Sequence, residues 1–321
     1  MGWISRFPAT ASGLTLLAVL ALWLAWTGAL SPDELPHYAG SRREVIGMAL
    51  MLMLLPPYFV SATIATRRHA LTLIEELRPL VDRPEECDRA RAAIVRGWRT
   101  AWIPGLPIGL VMGLLNTSPL EAWTTSVGRS VHLGLSAGQM FLWLLIGVAL
   151  VVGFRASSGF RRLGEVVRFE LFGLDHLKPL ARAGLLDMLV IAGALAFTPL
   201  QSLDAEFRWY NYQFGLLVAG AASILLVVWP LWPIHVRIRA EKQRRIDAID
   251  ALIGAAGEPM TRAETAELEA LLAHRDRLVG LRAWLFSTDL ISRFLLYLII
   301  PPLAWVGAAI VERLVDRILA S

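Results

Sequence analysis

The sequence predicts an all-α, polytopic membrane protein with about seven transmembrane helices and helical extensions on its cytoplasmic side. Of the 321 residues, 56% are hydrophobic and only 18% are charged, whereas soluble domains are about 45–50% apolar and about 25% charged. The apolar residues fall in runs of roughly 16 to 23, near the length that a helix needs to cross about 30 Å of hydrocarbon. Basic residues cluster between alternate runs.

Each of the seven apolar runs is predicted to be one span. They cover residues 13–30, 44–66, 101–116, 137–154, 184–200, 212–234 and 290–311. The first run follows Arg6 and so resembles a signal peptide, but it is about 18 residues long and contains Trp23 and Trp26. A removable apolar region is usually shorter and less bulky, so we expect this run to be retained as a span.

The distribution of Lys and Arg predicts the orientation, because basic loops stay in the cytoplasm. With the N-terminus inside, Arg6 and the segments 67–100, 155–183 and 235–293 lie on one side and hold 25 of the 31 basic residues. We therefore expect a cytoplasmic N-terminus and an external C-terminus. Anionic lipid headgroups beside these loops are the expected counter-charge to the net charge of +4, and no nucleic acid is needed to explain it.

The chain divides into three predicted units. Residues 1–234 form a six-span membrane region that includes a helical cytoplasmic loop. Residues 235–289 are predicted to form a cytoplasmic helical hairpin, because two apolar series at helical spacing are separated by "GAAGEP". Thr261 and Glu264 fit a capping box at the start of its second arm. Residues 290–321 hold the seventh span and an amphipathic C-terminal end.

Two short segments, "RFELFGLDHL" and "RAWLFSTDLI", share Arg, Leu, Phe and Asp at matched positions, and each precedes an outward-going span. Their aromatic residues suit the membrane interface. Asp175 and Asp289 are predicted to cap the helices that follow. Arg182 and Arg293 are predicted to act as anchors at the depth of the lipid headgroups.

The third span, "AWIPGLPIGLVMGLLN", carries Gly105, Gly109 and Gly113 at strict four-residue spacing. Such a row lies on one helix face and lets a second backbone approach closely, which favours helix association in lipid. Three interpretations follow from this pattern. The row packs the third span inside the monomer, joins two subunits, or lines a narrow conduit.

Prolines recur within or at the ends of the spans. They are Pro56, Pro57, Pro104, Pro107, Pro230, Pro233, Pro301 and Pro302. Each removes a backbone donor and frees a carbonyl, which in hydrocarbon needs a partner or a protected cavity. The prolines therefore either kink the helices or form the discontinuous helices found at many transporter sites.

The sequence contains no constellation that predicts an enzyme, a cofactor or a metal site. Zinc-binding His-Glu-x-x-His, nucleophilic Gly-x-Ser-x-Gly and phosphate-binding Walker motifs are all absent from the sequence. Cys87 is the single cysteine, so neither a disulfide nor a thiolate zinc site is expected. No span carries a charge near its centre, and Asp187, about four residues into the fifth run, is expected within reach of the interface, which disfavours a proton-coupled pump.

The segments "FSTDLISRFLLYLIIPPLAWVGAAIVERLVD", "LFGLDHLKPLARAGLLDMLV" and "WPLWPIHVRIRAEKQ" resemble a group of uncharacterised polytopic inner-membrane proteins of proteobacteria. The resemblance covers roughly the last half of the chain. It implies a bacterial inner membrane, and hence a periplasmic C-terminus, and it supplies no catalytic residue.

Two functional hypotheses follow. The first is a non-enzymatic, oligomeric or complex-forming membrane protein with a channel- or transporter-like path near the third, sixth and seventh spans, suggested by the glycine row and the broken helices. The alternative is a membrane scaffold or sensor whose 235–289 hairpin recruits a cytoplasmic protein partner.

Overall fold

The computed structural model describes residues 8–30, 42–116, 129–202, 209–256 and 261–281. It confirms the all-α fold class, since these residues form eight α-helices and no strand. The helices are α1 (Pro8–Trp26), α2 (Arg42–Leu77), α3 (Pro84–Thr100), α4 (Trp102–Asn116), α5 (Arg129–Val166), α6 (Lys178–Leu195), α7 (Trp209–Ala256) and α8 (Arg262–Gly280). Short 3₁₀ helices follow α2 and α6 and precede α6.

Five of these helices, α1, α2, α5, α6 and α7, are long and apolar enough to cross a membrane. The apolar helix α4 is shorter and corresponds to the predicted third span. Six of the seven predicted runs thus appear as apolar helices. The seventh, 290–311, lies outside the described residues, together with Asp289, Arg293, Pro301 and Pro302.

The glycine row of α4 packs against α5 within the monomer. Gly105, Gly109 and Gly113 are all buried. A Cβ at Gly109 would lie 2.5 Å from the carbonyl oxygen of Trp143, and one at Gly105 would lie 2.6 Å from the Cα of Val148. Gly147 of α5 faces the backbone of Gly105 and Gly109 in return. The two backbones therefore touch along this seam, which leaves no space there for a conduit.

One end of the bundle carries most of the basic residues, from the segments 67–100, 155–183 and 235–281, and is called the basic end below. Six helices meet there around a continuous apolar core, the basic-end cluster. Its fully buried members include Leu73, Leu77, Leu163, Leu177, Leu180, Ile234 and Leu278. A separate core, the opposite-end cluster, joins α1, α2 and α5 through Leu24, Val45, Met51, Leu52 and Val131.

Basic side chains cap helix ends at the basic end. Arg237 donates from Nη1 to the carbonyl oxygens of Gly164 and Val167, both at 2.9 Å, where α5 ends. Lys242 donates from Nζ to the carbonyl oxygens of Val279 and Leu281 at 2.7 and 2.8 Å, where α8 ends. The last carbonyls of a helix lack backbone donors, so these side chains supply the missing hydrogen bonds.

Helix α7 runs without interruption from the membrane into the predicted hairpin, and α8 folds back against it. The predicted capping box is confirmed. The Glu264 amide donates to the Thr261 hydroxyl at 3.2 Å, and the Thr261 amide donates to the Glu264 carboxylate at 3.0 Å. These bonds satisfy two of the backbone donors at the start of α8.

The predicted caps and anchors of the fifth span differ from expectation in one respect. Asp175 lies two residues before the N-cap position of α6, which is held by Leu177 without a side-chain cap. Pro179 explains this start, because proline has no N–H and fits the first turn of a helix. Arg182 is exposed and lies 4.0 Å from Glu76 of α2.

Candidate functional site

A cavity of about 160 Å³ lies between α2, α5, α6 and α7. Its lining on α2 extends from Leu55 to Ala70, about 22 Å along the helix axis. Leu55 lies in the middle of the apolar run 44–66, whereas Arg67 and Ala70 lie just beyond its end. Leu55 belongs to the opposite-end cluster and Ala70 to the basic-end cluster, so the cavity separates the two packed cores.

Most of the lining is apolar, and three threonines within it are already bonded to their own backbone. The hydroxyls of Thr63 and Thr66 donate to carbonyl oxygens one turn earlier, at 2.6 and 2.8 Å, and Thr198 donates to Leu195 at 2.7 Å. These hydroxyls have therefore used their single proton. Arg67 and Asp187 remain as the charged side chains that the cavity presents.

Arg67 enters the cavity lining from α2 with part of its hydrogen-bonding capacity unused. Its Nε atom is buried and has no hydrogen-bond acceptor among the described residues. Its guanidinium group lies 5.4 Å from the ring centre of Trp98 on α3, a cation–π distance. A buried N–H without an acceptor is costly, so an acceptor brought by a bound molecule would be stabilised there.

Asp187 enters the lining from α6 and lies beside Ser157 of α5. The Ser157 hydroxyl donates to the carbonyl oxygen of Leu226 at 3.2 Å. A hydroxyl has one proton, so this bond uses the proton that Ser157 could otherwise donate to the neighbouring carboxyl group. No ion pair joins Asp187 to Arg67 among the salt bridges of the described residues.

Proline explains why the Leu226 carbonyl needs a partner. Pro230 follows Leu226 by four residues within α7 and has no N–H to donate back to it. Ser157, which is only 2% exposed, takes over that role from the neighbouring helix. A hydroxyl of α5, next to Asp187, thus replaces the helical hydrogen bond that Pro230 removes from α7.

The predicted site residues contribute to this cavity only indirectly. None of the six described prolines, Pro56, Pro57, Pro104, Pro107, Pro230 and Pro233, is among its lining residues, and neither is any residue of α4. Of the third and sixth spans, beside which a path was expected, only the sixth contributes lining residues to this cavity within the described chain. At the third span, the α5 backbone packs directly against the glycines and leaves no space for a path between them.

Asp187 is the main functional candidate that the sequence did not assign to a site. It lies nine residues after Lys178, where α6 begins, and five residues after the exposed Arg182. Its carboxyl group faces the cavity rather than bulk water. An aspartate inside an apolar run was the available signal, since such residues usually have a functional role.

Comparisons with protein-family models, with curated proteins and with solved structures found no match to this chain. The class of protein follows from the five helices that are long and apolar enough to cross a membrane. The protein is embedded in a membrane. Its activity has to be argued from the cavity and from the chemistry of the residues that line it.

Proposed function

We propose that this membrane protein is transporter- or channel-like and that its cavity binds a small amphipathic solute. The observation that carries the proposal is the extent of the lining, which follows α2 for about 22 Å. A packing defect between helices would be short and uncharged. This cavity instead extends from the middle of the apolar run 44–66 to the basic end and presents an arginine and an aspartate from different helices.

The lining also indicates the class of solute. An apolar cavity of about 150 Å³ is large enough for a benzene molecule, so the volume of about 160 Å³ suits a body of similar size. Arg67 favours a carboxylate or another acceptor, and Asp187 favours an amine or another donor. We therefore propose a small, mainly apolar solute that carries one or both of these groups.

Two glycines on α7 provide a matched test. Gly215 lines the cavity, whereas Gly220 does not, and a Cβ at either position would meet nothing within 4 Å. Gly215→Leu should fill the cavity and Gly220→Leu should extend into lipid. Purified protein would be assayed by calorimetry with benzoate, benzylamine and benzyl alcohol, and uptake of any bound probe would be measured in proteoliposomes.

We expect at least one probe to bind to the wild type and to Gly220→Leu, and binding and uptake to fall at least tenfold in Gly215→Leu. Arg67→Gln should weaken benzoate selectively, and Asp187→Asn should weaken benzylamine. Absence of binding and uptake for all three probes in the wild type would contradict the proposed function, and so would equal losses in the two glycine variants.

We also propose that the basic end faces the cytoplasm of a bacterial inner membrane, in line with the distribution of the basic residues. In a Cys87→Ala background, a cysteine at exposed Glu267 should react with an impermeant maleimide only after the membrane is opened. Labelling in intact cells would contradict this proposal and indicate that the basic end faces outward.

A second candidate function is a scaffold that recruits a protein partner through the α7–α8 hairpin. The inner face of the hairpin belongs to the basic-end cluster, but Leu252, Leu272 and Val279 are 57%, 43% and 50% exposed on its outside. Substituting Leu252→Glu and Leu272→Glu should release a co-purifying partner without lowering the thermal midpoint. An unchanged set of co-purifying proteins would exclude this role for the two leucines.

A further inference from the structure

A second concave site, the arginine groove, lies between α3 and α5 at the basic end. Its volume is about 310 Å³, and Arg96, Arg155 and Arg162 line it. Ala90, Ala93, Gly97 and Gly159 also line it. Because those residues are small, a bound group can approach the helix backbones closely. The groove shares no lining residue with the cavity.

Two of its three arginines have no acidic partner. Arg96 and Arg162 are exposed and form no ion pair within 4.0 Å among the described residues. Neighbouring arginines do have partners, since Arg89 pairs with Glu86 and Arg161 lies 3.7 Å from Glu165. Glu86 borders the groove, but its carboxylate is already engaged by Arg89. The groove therefore has a local excess of positive charge.

The third arginine is held in position. Arg155 donates from Nη1 to the carbonyl oxygen of Gly97 at 3.0 Å and to the hydroxyl of Thr100 at 2.6 Å. A Cβ at Gly97 would lie 3.2 Å from the Arg155 side chain, so the glycine admits this close approach. These bonds use one of the guanidinium nitrogens. The others keep donors for a phosphate, and the fixed side chain loses little rotamer entropy on binding.

The position of the groove along the membrane normal suits a lipid headgroup. Arg155 directly follows the apolar run 137–154, and Thr100 directly precedes the apolar run 101–116. Trp102 at the start of α4 is 47% exposed, and Ile103 beside it is 76% exposed. Tryptophan is enriched at membrane interfaces. The arginines therefore lie where lipid phosphates are, next to an apolar helix face that acyl chains can cover.

We propose that the arginine groove binds the headgroup of an anionic phospholipid, with the phosphate contacted by Arg96, Arg155 and Arg162 and the acyl chains lying along α4. The charge excess, the fixed Arg155 and the adjoining apolar face all favour a lipid over a soluble anion. This inference is independent of the solute proposed for the cavity. It assigns a specific lipid to one face of the protein.

The test uses the full-length protein purified in a neutral detergent. Phosphatidylglycerol, phosphatidylcholine and soluble glycerol 3-phosphate would each be titrated, and bound lipid would be counted by native mass spectrometry. Arg96→Gln with Arg162→Gln removes the two unpaired arginines. Arg83→Gln with Arg239→Gln is the matched control, because both residues are exposed at the basic end, outside the groove, and without an ion pair in the described chain.

We expect phosphatidylglycerol to bind the wild type and the control pair alike and to bind the groove variant roughly 30-fold more weakly, since each basic residue near an anionic surface contributes about a fivefold factor. Phosphatidylcholine should bind weakly to all three proteins. An equal loss in the control pair would overturn the site and indicate a diffuse charge effect. Binding of glycerol 3-phosphate as tight as that of the lipid would overturn the lipid assignment.

Discussion

At the basic end, six helices close around side chains such as Leu73, Leu163 and Ile234, each with less than 2% of its surface exposed. Next to this core, four of the same helices separate around a cavity instead. Outside lipid, burying apolar surface is itself the driving force for packing. Within lipid that force is absent, so close contact depends on shape and on a few polar bonds.

The two regions therefore have separate tasks. The basic end resembles the core of a soluble protein, with capped helix ends and ion pairs at its surface. It fixes the positions of α2, α5, α6 and α7. The membrane-embedded part of these helices is then free to leave a space. Four pairs of variants test this division of tasks.

The largest effect is expected where the membrane-embedded part is tightly packed, at the α4–α5 seam. Gly109→Leu places a side chain 2.5 Å from the Trp143 carbonyl oxygen, and neither backbone can move aside without separating the helices. We expect a loss of more than about 3 kcal/mol, or no folded protein at all. Gly220→Leu, in open surroundings on α7, is the control.

Size-exclusion profiles and thermal midpoints in detergent would measure the effect. Equal midpoints for the two variants would show that close packing at the seam does not contribute to stability. The tightly packed and open membrane regions would then not differ in this respect.

The second experiment compares two leucines of α5. Leu163→Ala removes a fully buried side chain from the basic-end cluster and should cost about 2–5 kcal/mol. Leu150 lines the cavity and already faces empty space, so Leu150→Ala should cost about 2 kcal/mol or less. Denaturant titration in mixed micelles measures both. Equal losses would show that the cavity is packed as firmly as the basic end.

The third experiment compares adjacent serines. Ser157→Ala leaves the Leu226 carbonyl without its donor and Asp187 without its neighbour, which should cost about 1–3 kcal/mol. Ser158 bonds only to the Phe154 carbonyl of its own helix, at 2.8 Å, so Ser158→Ala should stay within about 0.5 kcal/mol. Thermal midpoints give the comparison. A null effect at Ser157 would remove the proposed link between Pro230 and the cavity.

The smallest effect concerns the exposed surface of the basic end. Hydrogen bonds from Arg244 and Arg245 lower the pKa of the Glu241 carboxyl group below its ordinary value, which is about 4.3. A lowered pKa in the folded state stabilises the protein above that ordinary value, and the stabilisation is lost as the pH falls through the lowered pKa. Solvent screens these exposed charges, so the contribution is small.

We expect Glu241→Gln to reduce the acid-side fall of the thermal midpoint by about 1 °C. Glu267→Gln, on the exposed face of α8 and without an ion pair in the described chain, should leave the pH profile unchanged. Identical profiles for wild type and Glu241→Gln would show that this ion cluster adds nothing to stability.

The sequence predicted what depends on neighbours in the chain. Apolar runs of membrane-spanning length and the Thr261–Glu264 cap are local patterns, and both are found in the structure. The cavity is not local, because Arg67, Ser157 and Asp187 come from three helices far apart in sequence. Hydropathy alone started the fifth span at residue 184, whereas the helix begins six residues earlier, at Lys178.

Helix α7 joins the two regions as one continuous rod of 48 residues. From Pro230, beside the cavity, to Ala256 at the hairpin tip it measures about 39 Å, so a bend of about 5° at the proline displaces the tip by roughly 3 Å. Ile238, Ile246 and Ile249 bury this arm of α7 in the basic-end cluster. A change in the bend at Pro230 would therefore have to shift the packing of that cluster as well.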